Sequence, residues 1–219
     1  MSGIEIVLVH GAWHGSWCWD RLRAELAGSG RVTHVVDLPS MASPADGLDA
    51  DAKVVREKVD SIGRPVLLLG HSYGGIVVSQ ASVGAEVARL VYLAAFMLDE
   101  GPFGPEVPSE AETVPPPDDP ITVFYGDVPA DVARDAVSRL RPLSAQAARG
   151  KQVGAGWRDI PSTYIVCEQD RILPPSAQEE MSRRATEVRR LDASHSPFLS
   201  MPAELAALLD QLASAVDNA

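Results

Sequence analysis

Six short strand-like runs recur along the chain, at 4–9, 32–36, 65–69, 87–94, 162–167 and 187–191, and segments of helical period lie between them. Leu48, Ala52, Val55, Val59 and Ile62 repeat at spacings of three and four. So do Leu205, Leu208, Leu209, Leu212 and Val216, after Pro202 in a first turn. A near-continuously apolar strand has no face to give to water, so helices must cover it on both sides. That requirement, with the strict strand–helix alternation, selects an α/β architecture built on a mostly parallel sheet.

The chain has 219 residues, 46% of them hydrophobic, which suits one domain with a substantial core. One interval breaks the alternation. From 96 to 160 the chain first passes seven prolines between Pro102 and Pro120, then enters a helical stretch in which Val132, Ala133, Ala136, Val137 and Leu140 share a face. Long excursions from an α/β core are usually functional, and this one carries its own amphipathic helix. It is expected to form a small cap (96–160) inserted in a core of 1–95 and 161–219. The competing reading is a disordered insertion at 101–120.

A net charge of −11 supplies no basic patch for phosphates, which argues against nucleic acid. No run reaches the ~20 apolar residues of a membrane span, and the N-terminus lacks the basic start and long apolar stretch of a signal peptide. A cytoplasmic location is expected. Cys18 and Cys167 both sit among apolar neighbours and are expected to be buried and reduced. No histidine or cysteine spacing resembles a metal site, and no cofactor is expected.

Directly after the run Pro65-Val66-Leu67-Leu68-Leu69 comes Gly70-His71-Ser72-Tyr73-Gly74. This is G-x-S-x-G at a strand-to-helix junction. A sharp turn there thrusts the serine hydroxyl out of the chain but crowds its neighbours two residues either side, and glycine at 70 and 74 relieves the crowding. In a parallel sheet, residues just past the strand ends collect on one edge, where ligands bind. His10-Gly11 follows the first strand, Ser72 the third, Asp170 the fifth, and His195 lies beyond the sixth. A nucleophile, an acid and a base in the order Ser…Asp…His therefore converge.

In that arrangement His195 takes the Ser72 proton and Asp170 holds the imidazole. The backbone N–H groups of Tyr73 and Ala12 form an oxyanion hole. Asp99, after the fourth strand, is the competing acid. His34 lies in a strand and His71 within the turn. His10 and His14 are expected to shape the oxyanion loop by hydrogen bonding. Asp37-Leu38-Pro39 reads as a structural turn, because no G-x-G-x-x-G precedes it. Val153-Gly154-Ala155-Gly156 follows no strand and is weak as a phosphate loop.

The blocks His10-Gly11-Ala12-Trp13-His14-Gly15-Ser16-Trp17-Cys18-Trp19, Gly70-His71-Ser72-Tyr73-Gly74-Gly75 and Ala94-Ala95-Phe96-Met97 resemble the plant methylesterase and hydroxynitrile lyase group of α/β-hydrolases. So do Phe124-Tyr125-Gly126-Asp127 and Arg141-Pro142-Leu143. The resemblance spans nearly the whole chain. It implies the α/β-hydrolase fold, with a six-stranded parallel core and a small cap after the fourth strand. It also implies Ser72, Asp170 and His195 as a triad, donors at Ala12 and Tyr73, and action without a cofactor on small esters or cyanohydrins. Many members are dimers, which leaves a homodimer open.

Two departures bear on the chemistry. The resembling lyases carry threonine after the first histidine and lysine after the catalytic one, where this chain has Gly11 and Ser196. Ester hydrolysis needs neither group. The expected function is therefore a serine carboxylesterase acting on a small, largely apolar ester through an acyl-enzyme. Hydroxynitrile lyase, thioesterase and C–C hydrolase chemistry on the same triad are alternatives, and a ligand-binding receptor on a hydrolase scaffold is an alternative of another class. Candidate pocket residues are Gly11, Trp13, Ser196 and, from the cap, Phe124, Tyr125, Leu140, Leu143 and Trp157. The cap residues could equally serve only to pack it on the sheet.

Overall fold

In the computed structural model, residues 3–104 and 107–218 are described. The first half alternates strand and helix: β1 (Glu5–Val9), α1 (Asp20–Gly28), β2 (Thr33–Val36), α2 (Leu48–Ile62), β3 (Val66–His71), α3 (Gly74–Ala81) and β4 (Val87–Leu93). The chain then leaves the sheet through β5 (Gly101–Pro102), β6 (Thr113–Val114), α4 (Pro120–Phe124), α5 (Ala130–Arg139), β7 (Leu143–Ser144), α6 (Ala145–Ala148) and β8 (Lys151–Gln152). It returns with β9 (Ser162–Cys167), α7 (Pro175–Ser182), β10 (Glu187–Leu191), α8 (Pro197–Ser200) and α9 (Pro202–Asp217).

Six strands form one parallel sheet in the order β10-β9-β4-β3-β1-β2. Alternate residues of each central strand feed opposite faces. Val7, Val9, Leu68, Tyr92, Tyr164 and Val166 pack with α2 and α3 through Val55, Val59, Ile76 and Val77. Ile6, Leu8, Leu67, Leu69, Val91 and Ile165 pack on the other side with α1 and α9 through Leu22, Leu26, Leu205, Leu209 and Leu212. Every residue of β3 and β9 is buried, which is why these strands read as unbroken apolar runs.

The register sets the strand ends level. Val9 pairs with Gly70 and Val36, His71 with Leu93, and Leu93 with Ile165. After β2 the chain crosses over β1 and builds outward through β3, β4, β9 and β10. The order therefore reverses between β1 and β3, and the crevice beyond their ends is where such sheets take ligands. Two-residue antiparallel pairs, β5 with β8 and β6 with β7, tie the excursion to itself. Prolines cannot donate to a ladder, so their segment is held partly by a side chain: Arg149 donates to the carbonyls of Val107, Pro108 and Ala111. No helix among the described residues is long and apolar enough to cross a membrane. Cys18 and Cys167 are buried free thiols.

Candidate active site

Ser72 sits between β3 and α3 with φ +53°, a left-handed conformation that L-residues adopt only under constraint. The constraint is close packing. A β-carbon on Gly70 would lie 2.5 Å from the Gly74 carbonyl oxygen, and one on Gly74 would lie 2.7 Å from that of His10. Within the turn the tightest position is Gly75, where a β-carbon would meet the Phe96 carbonyl oxygen at 2.4 Å. That third glycine lies just outside the five-residue motif. Backbone bonds lock the turn: Ser72 N–H donates to Leu93 O, and Ser72 O accepts from the N–H groups of Gly75 and Phe96.

Asp170, past the end of β9, is buried and accepts four hydrogen bonds. Its Oδ1 takes the N–H groups of Ile172 and Leu173, each at 2.9 Å. Its Oδ2 takes Gln178 Nε2 at 3.0 Å and His195 Nδ1 at 2.6 Å. Gln178 had no signal in the sequence, because its role depends on a contact between α7 and the β9 end. His195 is buried, and its carbonyl accepts from His71 Nε2 at 2.8 Å. With Nδ1 committed to Asp170, Nε2 is the nitrogen left to accept a proton. Asp99 is elsewhere, exposed and paired with Arg158 and Arg184.

The loop after β1 closes the other side. Among the described residues, the N–H groups of Ala12 and Tyr73 have no protein acceptor. Both residues line a cavity of about 160 Å³ together with Ser72. Its remaining described wall is apolar: Trp13, Ile76, Phe96, Phe103, Val114, Leu143, Ile172 and Leu173 among others, with no charged side chain among the described lining residues. The polar atoms of the two amphipathic wall residues are already engaged. Trp13 Nε1 donates to Val114 O at 3.0 Å, and Tyr73 O–H donates to Asp51 at 2.7 Å. Asp51 is itself buried, takes two further bonds from Ser40, and has its pKa raised by burial.

Of the pocket residues expected from sequence, the structure brings Trp13 and Leu143 to the cavity. Gly11 backs onto Ser72, and a β-carbon there would lie 2.9 Å from Ser72 Cβ. Phe124 is buried behind His195, ring centroids 5.8 Å apart. Tyr125 is buried too, with its hydroxyl on His14 Nε2. Leu140 faces a separate outer groove with Arg139 and Arg141. Trp157 binds Leu98 O and packs under Arg158 and Arg184. Ser196 is buried, with a hydroxyl that has no partner among the described residues. Direction explains these placements: β strands fix where side chains point, and an irregular excursion does not.

His10 Nδ1 faces Gly11 O at 2.9 Å and its Nε2 accepts from Leu38 N–H; His14 Nδ1 faces Ala12 O at 2.8 Å. Asp37 takes the N–H and hydroxyl of Ser16, a structural turn. Gly156 packs against Ser82 at the end of α3. Among the described residues, no group of three or more His, Cys, Asp or Glu could hold a metal ion.

Burial holds three of these histidines neutral. It lowers the pKa of His10, pushes His71 well below the usual imidazole value, and brings His14 down to about 3. Unfolded, each takes a proton near pH 6.5, so below that pH the unfolded chain binds more protons than the folded one. Stability is therefore lost as the pH falls below that value. Asp51 acts oppositely, since its raised pKa means that acid relieves a buried charge. Three groups outweigh one. The thermal midpoint at pH 5 is expected below that at pH 7.5, and an equal or higher midpoint would contradict this assignment of neutral histidines.

A family model described as "Alpha/beta hydrolase family" matches residues 6–208. Alpha/beta hydrolase nvfD of Aspergillus novofumigatus (strain IBT 16806) is 28% identical, over 90% of this chain and 91% of that protein. Methylesterase 7 of Arabidopsis thaliana is 29% identical, over 95% of this chain and 96% of that protein. Among solved structures, the methylesterase MES16 from Arabidopsis superposes with a TM-score of 0.84 at 25% identity, covering 96% of this chain and 99% of that one.

Proposed function

The chain belongs to the alpha/beta hydrolase family, and within it we propose that it is a serine carboxylesterase acting on a small, apolar, uncharged ester. Its similarity to methylesterases supports that reading. The observation that carries it is the cavity: a largely apolar wall onto which open, among the described residues, the Ser72 hydroxyl and the Ala12 and Tyr73 N–H groups, all without a hydrogen-bond partner.

Ser72 Oγ attacks the ester carbonyl carbon and gives its proton to His195 Nε2. The carbonyl oxygen becomes an oxyanion held by the N–H groups of Ala12 and Tyr73. Asp170 keeps the proton of the resting imidazole on Nδ1 and stabilises the imidazolium once it forms. The tetrahedral species collapses, and the alcohol leaves with the proton from Nε2. Water then attacks the acyl-enzyme by the same route, releasing the acid and restoring Ser72. No hydrogen bond joins Ser72 to His195 in the ligand-free chain, and such catalytic bonds commonly tighten only around substrate. The crowding at Gly11 supports hydrolysis over cyanohydrin cleavage, because a threonine-like hydroxyl has no room beside Ser72.

A panel of p-nitrophenyl esters tests this reading. A cavity near 150 Å³ holds a benzene-sized group, so kcat/KM should rise up to acyl chains of about six carbons and then decline. The rise should be about fourfold per methylene, from about 0.8 kcal/mol of burial each. Absence of turnover, or a preference for charged acyl groups, would overturn the proposal.

A further inference from the structure

We propose that Tyr125 and Asp127, in the turn between α4 and α5, are positioning residues: Tyr125 holds the oxyanion loop and Asp127 holds the loop that bears His195. This rests on the ester-hydrolase reading and assigns work to a segment outside the triad.

The Tyr125 link is a directed chain. His14 is buried and neutral, so one ring nitrogen carries hydrogen and the other does not. Ala12 O can only accept, so His14 Nδ1–H donates to it at 2.8 Å. Nε2 must then accept, and the Tyr125 hydroxyl donates to it at 2.8 Å. Both ends of the imidazole are fixed, and through it the peptide following Ala12. Ala12 is the residue whose own N–H is left for an oxyanion. Phe124 closes the space between, its ring 5.7 Å from that of Trp13 and 5.5 Å from that of His14.

The Asp127 link is a clamp on the backbone. Its carboxylate accepts the Ser194 N–H at 2.9 Å and also the Ser194 hydroxyl. Ser194 directly precedes His195, whose carbonyl is held by His71 and whose ring is held by Asp170. The base is thus fixed before, after and at its ring. Asp127 itself is exposed, so packing the core does not explain it. A small error in placing a base or a donor raises the barrier without weakening ground-state binding, and that separates positioning from plain structural support.

The test uses the full chain, with Tyr125→Phe, Asp127→Asn and Asp127→Glu measured beside wild type and Ser72→Ala on the best p-nitrophenyl ester. Affinity for hexyl trifluoromethyl ketone is measured in parallel, because its hemiketal carries an oxyanion. Tyr125→Phe should lower kcat about tenfold, hold KM within about twofold, and weaken the ketone by the same factor as kcat/KM. Asp127→Asn should lower kcat by a similar factor at constant KM, with partial recovery in Asp127→Glu. Because Asp127 is exposed, its variants keep the test open even if Tyr125→Phe folds poorly. Variants with kcat within twofold of wild type, or with raised KM and unchanged ketone affinity, would overturn the proposal. An inactive wild type would remove the hydrolase reading and this one with it, whereas an active wild type with unaffected variants would remove this one alone.

Discussion

Replacing Ser72 with alanine is expected to cut ester turnover about 10⁴–10⁶-fold while leaving the fold intact. The loss is large because in the proposed mechanism the serine supplies the atom that becomes bonded to the acyl group, and among the described residues no other side-chain hydroxyl lining the cavity is unengaged. The fold survives because the strain at φ +53° comes from the backbone and Cβ, which alanine shares. The glycine contacts around the turn do not involve the hydroxyl. What activity remains comes from the oxyanion donors and the cavity, which still bind and polarise the ester. Circular dichroism and the thermal midpoint should match wild type. A variant retaining a tenth of the turnover would show that another group performs the attack.

The second large effect is expected for Asp170→Asn. The carboxylate accepts from Ile172, Leu173, Gln178 and His195 at once. Asparagine has one acceptor oxygen and one donor NH₂. If the oxygen stays with the two backbone N–H groups, the NH₂ faces His195 and obliges Nδ1 to accept. The imidazole proton then moves to Nε2, where a base cannot carry it. A fall of about 10⁴-fold in kcat follows from the wrong tautomer. If the amide flips instead, two buried N–H groups lose their acceptor, at a cost of about 1–3 kcal/mol each. In the first case kcat falls while a product carboxylate binds unchanged; in the second the fold loses stability. A drop of less than tenfold with normal stability would mean that Asp170 does not set the tautomer.

The sheet was legible because burial on both faces leaves a plain trace: β3 and β9 have no exposed residue to interrupt the run. β10 lies at the sheet edge, where Arg189 and Arg190 are exposed and interrupt the apolar run. Parallel register then converts strand ends into neighbours, so that Ser72, Asp170 and His195 could be set on one edge without knowing any side-chain contact. The excursion offered no such periodicity. Phe124 and Tyr125 were candidate walls by type, yet they lie behind the histidines, and Trp157 packs beneath two arginines. The contacts of Gln178, Asp51 and Asp127 were invisible for a related reason. A polar residue on a helix or in a turn carries no sign of whether it meets water or a distant backbone N–H.

If an acyl group passes through Ser72, rapid-quench mass spectrometry of the intact chain will catch it there. With a p-nitrophenyl ester of the preferred length, a burst of p-nitrophenol is expected. A mass increase of one acyl group should accompany it, which peptide digestion places on Ser72 and which Ser72→Ala lacks. Turnover with no acyl adduct on a millisecond scale, or an adduct on a different residue, would contradict it.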